Sequence, residues 1–230
     1  MTPKIALIVG AGPGLSAAVA RRLAERGTKI ALASRTMEAN QALANELDGR
    51  AYRCDVAEED QVADLFQAVE RDLGAPDFVL FNPSYRSQGP LVELRPHDVE
   101  TSLKVTAYGG FLVAQQAAKR MIEAGGGAIF FTGASASVKG FARSAPFAMG
   151  KFALRGLAQS IARELQPQNI HVAHFIIDGA IRAPGRSEAD DKPQSLLDPD
   201  AIARSYLGVL DQERSAWSFE VELRPWVESF

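Results

Sequence analysis

The sequence predicts an α/β fold, doubly wound in three layers around a mainly parallel sheet of seven strands. Two observations carry this prediction. Apolar runs of strand length alternate with longer segments of helical periodicity at intervals of roughly twenty-five residues, which is the pattern of βαβ units. The first apolar run, Ile5–Val9, also leads through a glycine-rich turn, Gly10-Ala11-Gly12-Pro13-Gly14, directly into a helical pattern.

The first half of the chain contains four strand-and-helix repeats. Leu15, Val19 and Leu23 recur at helical spacing after the glycine turn, and Gly27 follows that helix in the usual C-terminal position. Thr36 is the predicted cap of the second helix. The predicted strands are Ile5–Val9, Thr28–Ala33, Arg50–Cys54 and Phe78–Phe81, and the predicted helices are Leu15–Arg26, Met37–Asp48, Glu58–Leu73 and Pro96–Glu123.

The second half continues the alternation to a seventh strand. Asp198-Pro199 caps and starts the last helix. The segment 183–197 is rich in Pro, Ser and charge without an apolar period, and we expect a substrate loop or lid there. With no linker or repeat in the sequence, residues 1–230 are expected to form a single domain. The remaining strands are Ala128–Thr132, His171–Ile177 and Phe219–Leu223, and the helices are Pro146–Gln166 and Pro199–Leu210.

Composition narrows the classes of function. The net charge of −3 and the absence of a basic cluster argue against nucleic acid as a partner. The run Ile5–Val9 is too short to span a membrane, and no signal segment precedes it. The single cysteine, Cys54, cannot form an internal disulfide, which fits a reducing compartment, and we expect it to be buried and inert. A cytoplasmic protein without a membrane partner is expected.

The glycine turn is suited to bind a phosphate. Glycine lets the backbone approach a ligand closely, and the first N–H groups of a helix have no partners within the helix. Those donors and the helix dipole attract an anion. A tight turn without a ligand is the alternative.

Three motifs in their order resemble the short-chain dehydrogenase/reductase superfamily. They are Gly10-x-x-x-Gly14-x-Ser16 in the first turn, Asp55-Val56 after the third strand and Phe81-Asn82-Pro83-Ser84 after the fourth. Each departs from the family's pattern. Val9 occupies the position of a threonine, Ser16 that of the last glycine, and the segment around Asn82 that of N-N-A-G. The resemblance runs from Ile5 to about Ile181 and implies a Rossmann-type NAD(P)-binding domain.

The resemblance also implies a role for each residue of the cofactor site. The pyrophosphate and ribose would lie along Gly10, Gly12, Gly14 and Leu15. Asp55 would bond the adenine amino group with Val56 beside the ring, Asn82 would hold the turn, and Gly179 follows the sixth strand where the family has P-G. Asp55 as a cap for the helix that starts near Glu58 is the alternative, and the two roles are compatible.

The end of the second strand predicts which dinucleotide binds. A carboxylate at this position would repel a ribose 2′-phosphate. This chain instead has Ser34-Arg35-Thr36 there, and the planar guanidinium of Arg35 offers several hydrogen-bond donors to that phosphate. We therefore expect NADP(H) to be preferred over NAD(H). A solvated arginine in front of a helix is the alternative.

The implied reaction centre is incomplete. The family places a serine, a Y-x-x-x-K motif and an asparagine there. At the serine position this chain has Ala134, with Ser135 beside it. The motif runs from Phe147 to Lys151, so a phenylalanine stands at the tyrosine position, and Thr106 stands at the asparagine position. Of the four groups only Lys151 is unchanged, and a phenylalanine ring has no proton to transfer. The sequence is therefore expected to be a divergent member of the family that lacks the catalytic tyrosine.

Three interpretations stay open. The protein is an oxidoreductase that reduces a small carbonyl or activated C=C substrate with a non-standard proton donor, namely Ser135, Ser137, Tyr85, Tyr108 or water held by Lys151. Alternatively it is an inactive NADP(H)-binding sensor or scaffold, or an inactive subunit of an oligomer.

The sequence also bears on metal and subunit partners. His171 and His174 face opposite sides of one strand and His97 starts a helix, so no metal site is expected. A homodimer or homotetramer is expected from the family. The stripe Phe111, Ala114 and Ala118 suits such pairing, although packing within the chain explains it equally well.

Overall fold

The computed structural model describes residues 2–183, 185–186, 188 and 193–228. Its seven strands form one sheet in the order β3-β2-β1-β4-β5-β6-β7, and every neighbouring pair is parallel. The predicted doubly wound fold is therefore confirmed. The strands are β1 Ile5–Val9, β2 Lys29–Ser34, β3 Arg50–Arg53, β4 Phe78–Phe81, β5 Gly127–Thr132, β6 Ile170–Ile177 and β7 Glu220–Leu223.

Helices cover both faces of the sheet. They are α1 Leu15–Ala24, α2 Glu38–Glu46, α3 Glu59–Asp72, α4 Pro96–Leu103, α5 Gly109–Ala124, α6 Ala145–Leu165 and α7 Pro199–Leu210. The helices α1, α2 and α7 pack on one face, and α3, α5 and α6 pack on the other. The strand order reverses between β1 and β4, and in this topology that point is where ligands bind.

The alternation of side chains along the strands divides the core into two layers. Leu7 and Val9 of β1 point into the layer beneath α3, α5 and α6, whereas Ala6 and Ile8 point into the layer beneath α1 and α7. Because both faces are covered, β1, β4, β5 and β6 are buried along their whole length. This explains why their sequences are mostly apolar, with His171 and His174 of β6 as buried exceptions.

Two helix predictions need correction. The long helix predicted over Pro96–Glu123 is interrupted by a π-helical segment, Lys104–Tyr108, between α4 and α5. Thr36 does not cap α2, because that helix begins after Met37 without a capping side chain. Asp198 does cap α7, as predicted, since its Oδ1 accepts hydrogen bonds from the amides of Asp200 and Ala201.

Residues 184, 187 and 189–192 of the predicted loop 183–197 lie outside the described residues. Within the remainder, the Leu197 amide donates to the carbonyl of Ala180 at 2.8 Å. Trp226 donates its indole N–H to the Gln194 side chain at 2.8 Å. The described part of this segment is therefore hydrogen-bonded to the chain after β6 and to the chain after β7.

Phe130 offers a test of the core beneath α7. Its ring is fully buried and lies 5.2 Å from that of Phe78 and 5.4 Å from that of Phe175. Replacing Phe130 with alanine should lower the free energy of unfolding by about 3–5 kcal/mol, because the ring's contacts are lost and a cavity is left. The matched variant Phe141→Ala, at a site 48% exposed, should cost less than about 1 kcal/mol. Similar losses in urea unfolding of both variants would contradict this account of the core.

Candidate active site

Two cavities meet at the carboxyl ends of the strands. One, of about 360 Å³, is lined by Gly10, Gly12, Ser34, Arg35, Asp55, Val56 and Asn82 among others. The other, of about 690 Å³, is lined by Ser135, Phe147, Lys151 and Gly179 among others. Asn82 and Ser84 line both, so the cavities form one continuous crevice. Most of the residues predicted for a cofactor and a reaction centre are brought together here.

Three predicted residues line neither of these cavities. Leu15 and Thr106 are buried, so Leu15 can offer a ligand only its backbone. Gly14 opens onto an adjacent surface cavity of about 810 Å³, which is also lined by α1 and α2.

The glycine turn is shaped for close approach of a ligand. Gly10 has a φ of +78°, and a Cβ there would lie 2.6 Å from the backbone nitrogen of Pro83. The turn is also held to β2, because the amides of Gly10 and Ala11 both donate to the Ala33 carbonyl, at 2.9 and 3.0 Å. A Cβ on Gly12 or Gly14 would meet nothing within 4 Å. The open side of this turn, at the start of α1, is the shape that a pyrophosphate requires.

Ser16 connects the first turn to the end of β4. Its hydroxyl donates to the carbonyl of Gly10 at 3.1 Å and accepts from Asn82 Nδ2 at 2.8 Å. Ser16 is 1% exposed, so this small side chain fits where the family has glycine. Asn82 holds the turn through this chain of bonds.

The end of β2 differs in part from expectation. Ser34 Oγ donates to the Thr36 carbonyl at 2.8 Å and accepts from Asn40 Nδ2 at 2.5 Å. Its only proton is therefore engaged, and Ser34 is not poised to donate to a phosphate. Arg35 is exposed and lines the smaller cavity. Asn40 was not predicted from the sequence, and its buried Oδ1 has no hydrogen-bond partner among the described residues.

Asp55 belongs to a turn rather than to a helix cap. Its Oδ1 accepts from the Ala57 amide at 3.0 Å, and the residue before α3 is Glu58. The alternative role of Asp55 as the cap of that helix is therefore wrong. Val56 is buried beside it. Cys54 is buried as predicted, and burial raises the pKa of its thiol to about 12.

Lys151 is buried at the floor of the larger cavity. Its ammonium donates to the Thr132 carbonyl at the end of β5, at 2.7 Å. Desolvation by burial lowers the pKa of Lys151 to about 7. A lysine in this state exchanges a proton near neutral pH.

Phe147 lies close to two cations. The guanidinium carbon of Arg86 lies 5.4 Å from the ring centroid of Phe147, and Lys151 Nζ lies 5.9 Å from it. Arg86 was missed by sequence reasoning. Its place in the segment that follows β4, on the ligand side of a parallel sheet, was an available signal.

The candidate proton donors differ in whether they line the larger cavity. Ser135 lines the larger cavity, whereas Ser137 is fully buried and its Oγ accepts from the Ala134 amide at 3.1 Å. Tyr85 is not an exposed loop aromatic, because it packs against the core and its hydroxyl donates to Asp98 at 3.0 Å. Tyr108 is 42% exposed and lines neither cavity. Ser135 and Lys151 are the two candidates that face the larger cavity.

Thr106 lies in the π-helical segment behind the reaction centre. Its Oγ1 accepts from the Tyr85 amide at 3.4 Å. Gly150 lets α6 pack closely here, since a Cβ on Gly150 would lie 3.1 Å from both Thr106 and Ser102. In this arrangement Thr106 positions the chain after β4 instead of facing the cavity.

The segment after β6 closes the larger cavity. Gly179 has a φ of +152°, and a Cβ there would lie 2.8 Å from Pro225. The buried Asp178 lies 3.5 Å from Lys139 Nζ and 3.6 Å from Arg224. Asp178 is thus neutralised by cations of the chain itself.

The histidines are distributed as predicted. His171 stacks on Trp217 with ring centroids 4.6 Å apart, while His174, on the other face of β6, pairs with Glu220 at 3.0 Å. Burial lowers the pKa of His174 to about 4. His97 is exposed. No group of three or more potential metal ligands exists in the described part of the chain.

Comparison with known proteins decides the family. The family model described as short chain dehydrogenase matches residues 4–193. The chain belongs to the short-chain dehydrogenase/reductase family. The chain is 32% identical over 181 residues to the mouse 3-oxoacyl-[acyl-carrier-protein] reductase, and the match covers 78% of this chain and 76% of the relative.

Solved structures agree with this assignment. A short-chain dehydrogenase from Rhodopseudomonas palustris is 33% identical, with a TM-score of 0.83 over 96% of this chain and 98% of that one. A metagenomic short-chain oxidoreductase in complex with NADP is 25% identical, with a TM-score of 0.83 over 96% of this chain and 97% of that one. Within the described residues, the chain has no helix of sufficient length and apolar character to cross a membrane.

The lowered pKa of Lys151 predicts a pH dependence of stability. The unfolded chain has an ordinary lysine pKa of about 10.4, so above about pH 7 it binds more protons than the folded chain, and stability rises with pH. The free energy of unfolding of the wild type, minus that of Lys151→Met, should therefore increase by about 2 kcal/mol between about pH 7 and pH 9. Denaturant unfolding of both proteins at each pH measures it. A difference independent of pH would show that Lys151 is not desolvated.

Proposed function

We propose that this chain is a cytoplasmic NADP(H)-dependent oxidoreductase that reduces a small carbonyl or activated C=C substrate. The observation that carries the proposal is the continuous crevice from Arg35, past the glycine turn, to Lys151. Its open glycine turn fits a pyrophosphate at one end, and its buried lysine can exchange a proton at the other. The NADP bound to the metagenomic relative supports the choice of dinucleotide.

Different residues of the crevice would bind different parts of the cofactor and the substrate. Backbone N–H groups at the start of α1 would bind the pyrophosphate, and Arg35 the ribose 2′-phosphate. Asp55 and Val56 would border the adenine. NADPH, when bound, supplies the hydride of the reduction. The chain's own contribution to the reaction is to hold the substrate in the larger cavity and to deliver a proton.

Lys151 and Ser135 are the proposed proton donors. Phe147 stands where the family places its general acid and has no exchangeable proton. Lys151 holds its proton beside the Thr132 carbonyl, and the hydroxyl of Ser135 lies on the wall of the same cavity. Hydride transfer to an activated C=C bond needs the least help from a proton donor, because the negative charge that develops is delocalised away from the attacked carbon.

Phe147 favours a second candidate function. A chain without the usual general acid can bind NADP(H) without turnover, as a sensor or scaffold. Titration of NADPH by fluorescence, followed by a screen of enones and ketones for NADPH consumption, separates the two. Consumption supports the oxidoreductase, whereas tight binding without consumption supports the sensor, and absence of binding contradicts both.

Self-association is part of the proposal. Phe111 of α5 is 41% exposed and Ile122 is 44% exposed, and both line a cavity with Leu157 and Ile161 of α6. Ala114 is buried in the chain's own core, so the apolar stripe is only partly available for pairing. A homodimer or homotetramer would cover these two helices, and sedimentation equilibrium tests it.

Arg35 should determine the choice of cofactor. Removing its guanidinium in Arg35→Ala removes a charge-assisted hydrogen bond to the 2′-phosphate, so we expect NADPH affinity to fall about tenfold or more. NADH affinity should change little. Fluorescence titration with both cofactors measures this. The matched control is Arg50→Ala, because Arg50 is an exposed arginine at the amino end of β3, away from the crevice at the carboxyl ends of the strands. Equal or tighter binding of NADH by the wild type would refute the role of Arg35.

A tyrosine at position 147 should restore proton transfer. Phe147→Tyr places a phenol on the ring beside Lys151, and positioned acid catalysis is worth about a hundred- to ten-thousandfold in rate. We expect a gain of ketone reduction in this range, measured as NADPH consumption. Phe141→Tyr, on the wall of the same cavity, should give no gain. Efficient ketone reduction by the wild type would show that Phe147 does not limit the reaction.

A further inference from the structure

We propose that the larger cavity selects a small anionic substrate and that Arg86 binds its anionic group, a carboxylate or a phosphate. The inference rests on the proposed function and names the substrate class for the same site.

Arg86 is held at the cavity by the chain around it. Tyr85, its neighbour, is anchored by its hydroxyl to Asp98 and by its carbonyl to Ser102 Oγ, at 3.0 and 3.3 Å. Further along, the Gly89 amide donates to the Arg143 carbonyl at 2.9 Å. Arg86 thus extends from a segment fixed on both sides.

The guanidinium of Arg86 is oriented but not neutralised. It lies 5.4 Å from the centroid of the Phe147 ring, a position in which the ring attracts the cation. No ion pair to Arg86 occurs within the described residues, whereas the nearby Arg95 is paired with Asp98 at 2.9 Å. The donors of Arg86 are therefore available to a ligand.

The charges around the cavity favour an anion. Its wall includes the cationic side chains Arg86, Lys139, Lys151 and Arg186 and the carboxylates Asp178 and Glu228. Asp178 is already balanced, since both Lys139 and Arg224 lie within 3.6 Å of it. Glu228 is the other carboxylate of the wall, so an excess of positive charge faces the cavity.

Arg86 and Lys151 both lie close to the Phe147 ring. The guanidinium carbon of Arg86 is 5.4 Å and Lys151 Nζ is 5.9 Å from the ring centroid. One small substrate packed on this ring can therefore place its anionic group at Arg86 and its reducible carbon beside Lys151. The planar fork of arginine recognises carboxylate and phosphate oxygens in pairs, which makes the contact selective for such groups.

The test compares ligands that differ in charge. Benzoylformate, methyl benzoylformate and phenylphosphonate are titrated calorimetrically into the full chain, with and without saturating NADP⁺, for wild type, Arg86→Gln and Arg214→Gln. Arg214 carries the same charge at the opposite end of the sheet and donates to the backbone carbonyls of Gln166 and Pro167. NADP⁺ affinity is measured separately for each protein.

We expect an anion to bind wild type about tenfold or more tightly than the methyl ester. Arg86→Gln should remove this preference without changing the affinity for the ester or for NADP⁺, and Arg214→Gln should retain it. Tighter binding of benzoylformate identifies a carboxylate site, and tighter binding of phenylphosphonate identifies a phosphate site.

Equal affinity for acid and ester, no binding of either anion, or a preference that survives in Arg86→Gln would overturn the inference. If the wild type prefers the anion over the ester but does not bind NADP⁺, the result would instead contradict the proposed function alone.

Discussion

The crevice depends on how closely the end of β1 approaches the end of β4. Gly10 makes this approach possible, because a Cβ there would overlap the backbone of Asn82 and Pro83. Asn82 and Ser16 then fix the approach with two hydrogen bonds, which run from the Asn82 amide through the Ser16 hydroxyl to the Gly10 carbonyl. The family's glycine in place of Ser16 would offer no such hydroxyl. In this chain a polar side chain therefore stabilises the junction between the glycine turn and the end of β4.

The second half of the crevice depends on Lys151. Burying its ammonium is costly unless a polar partner compensates, and the Thr132 carbonyl at 2.7 Å is the partner that the fold provides. That bond ties α6 to the carboxyl end of β5. Gly150, the preceding residue, permits the close packing of α6 against Ser102 and Thr106 that brings the lysine inward. The lowered pKa of Lys151 is thus a consequence of helix packing.

Much of the fold was predictable, because both faces of the parallel sheet are covered and its central strands are largely apolar runs. The site was predictable only where local sequence determines it. Gly10 and Asn82 end their strands, so their meeting followed from topology. The engagement of the Ser34 hydroxyl by Asn40 did not, since it requires the position of α2 relative to β2. The π-helical segment around Thr106 was also hidden, because its residues have ordinary helical periodicity.

Phe147 has a different meaning in the structure than in the sequence. In the sequence it marks the absence of a proton donor. In the structure its ring faces the guanidinium of Arg86 and the ammonium of Lys151. A phenol there would present a hydroxyl that competes for polar partners, whereas a bare ring offers both cations an apolar, electron-rich face. Phe147 therefore contacts both cations without accepting a hydrogen bond from either, and this is the property of the site on which the proposed anionic substrate depends.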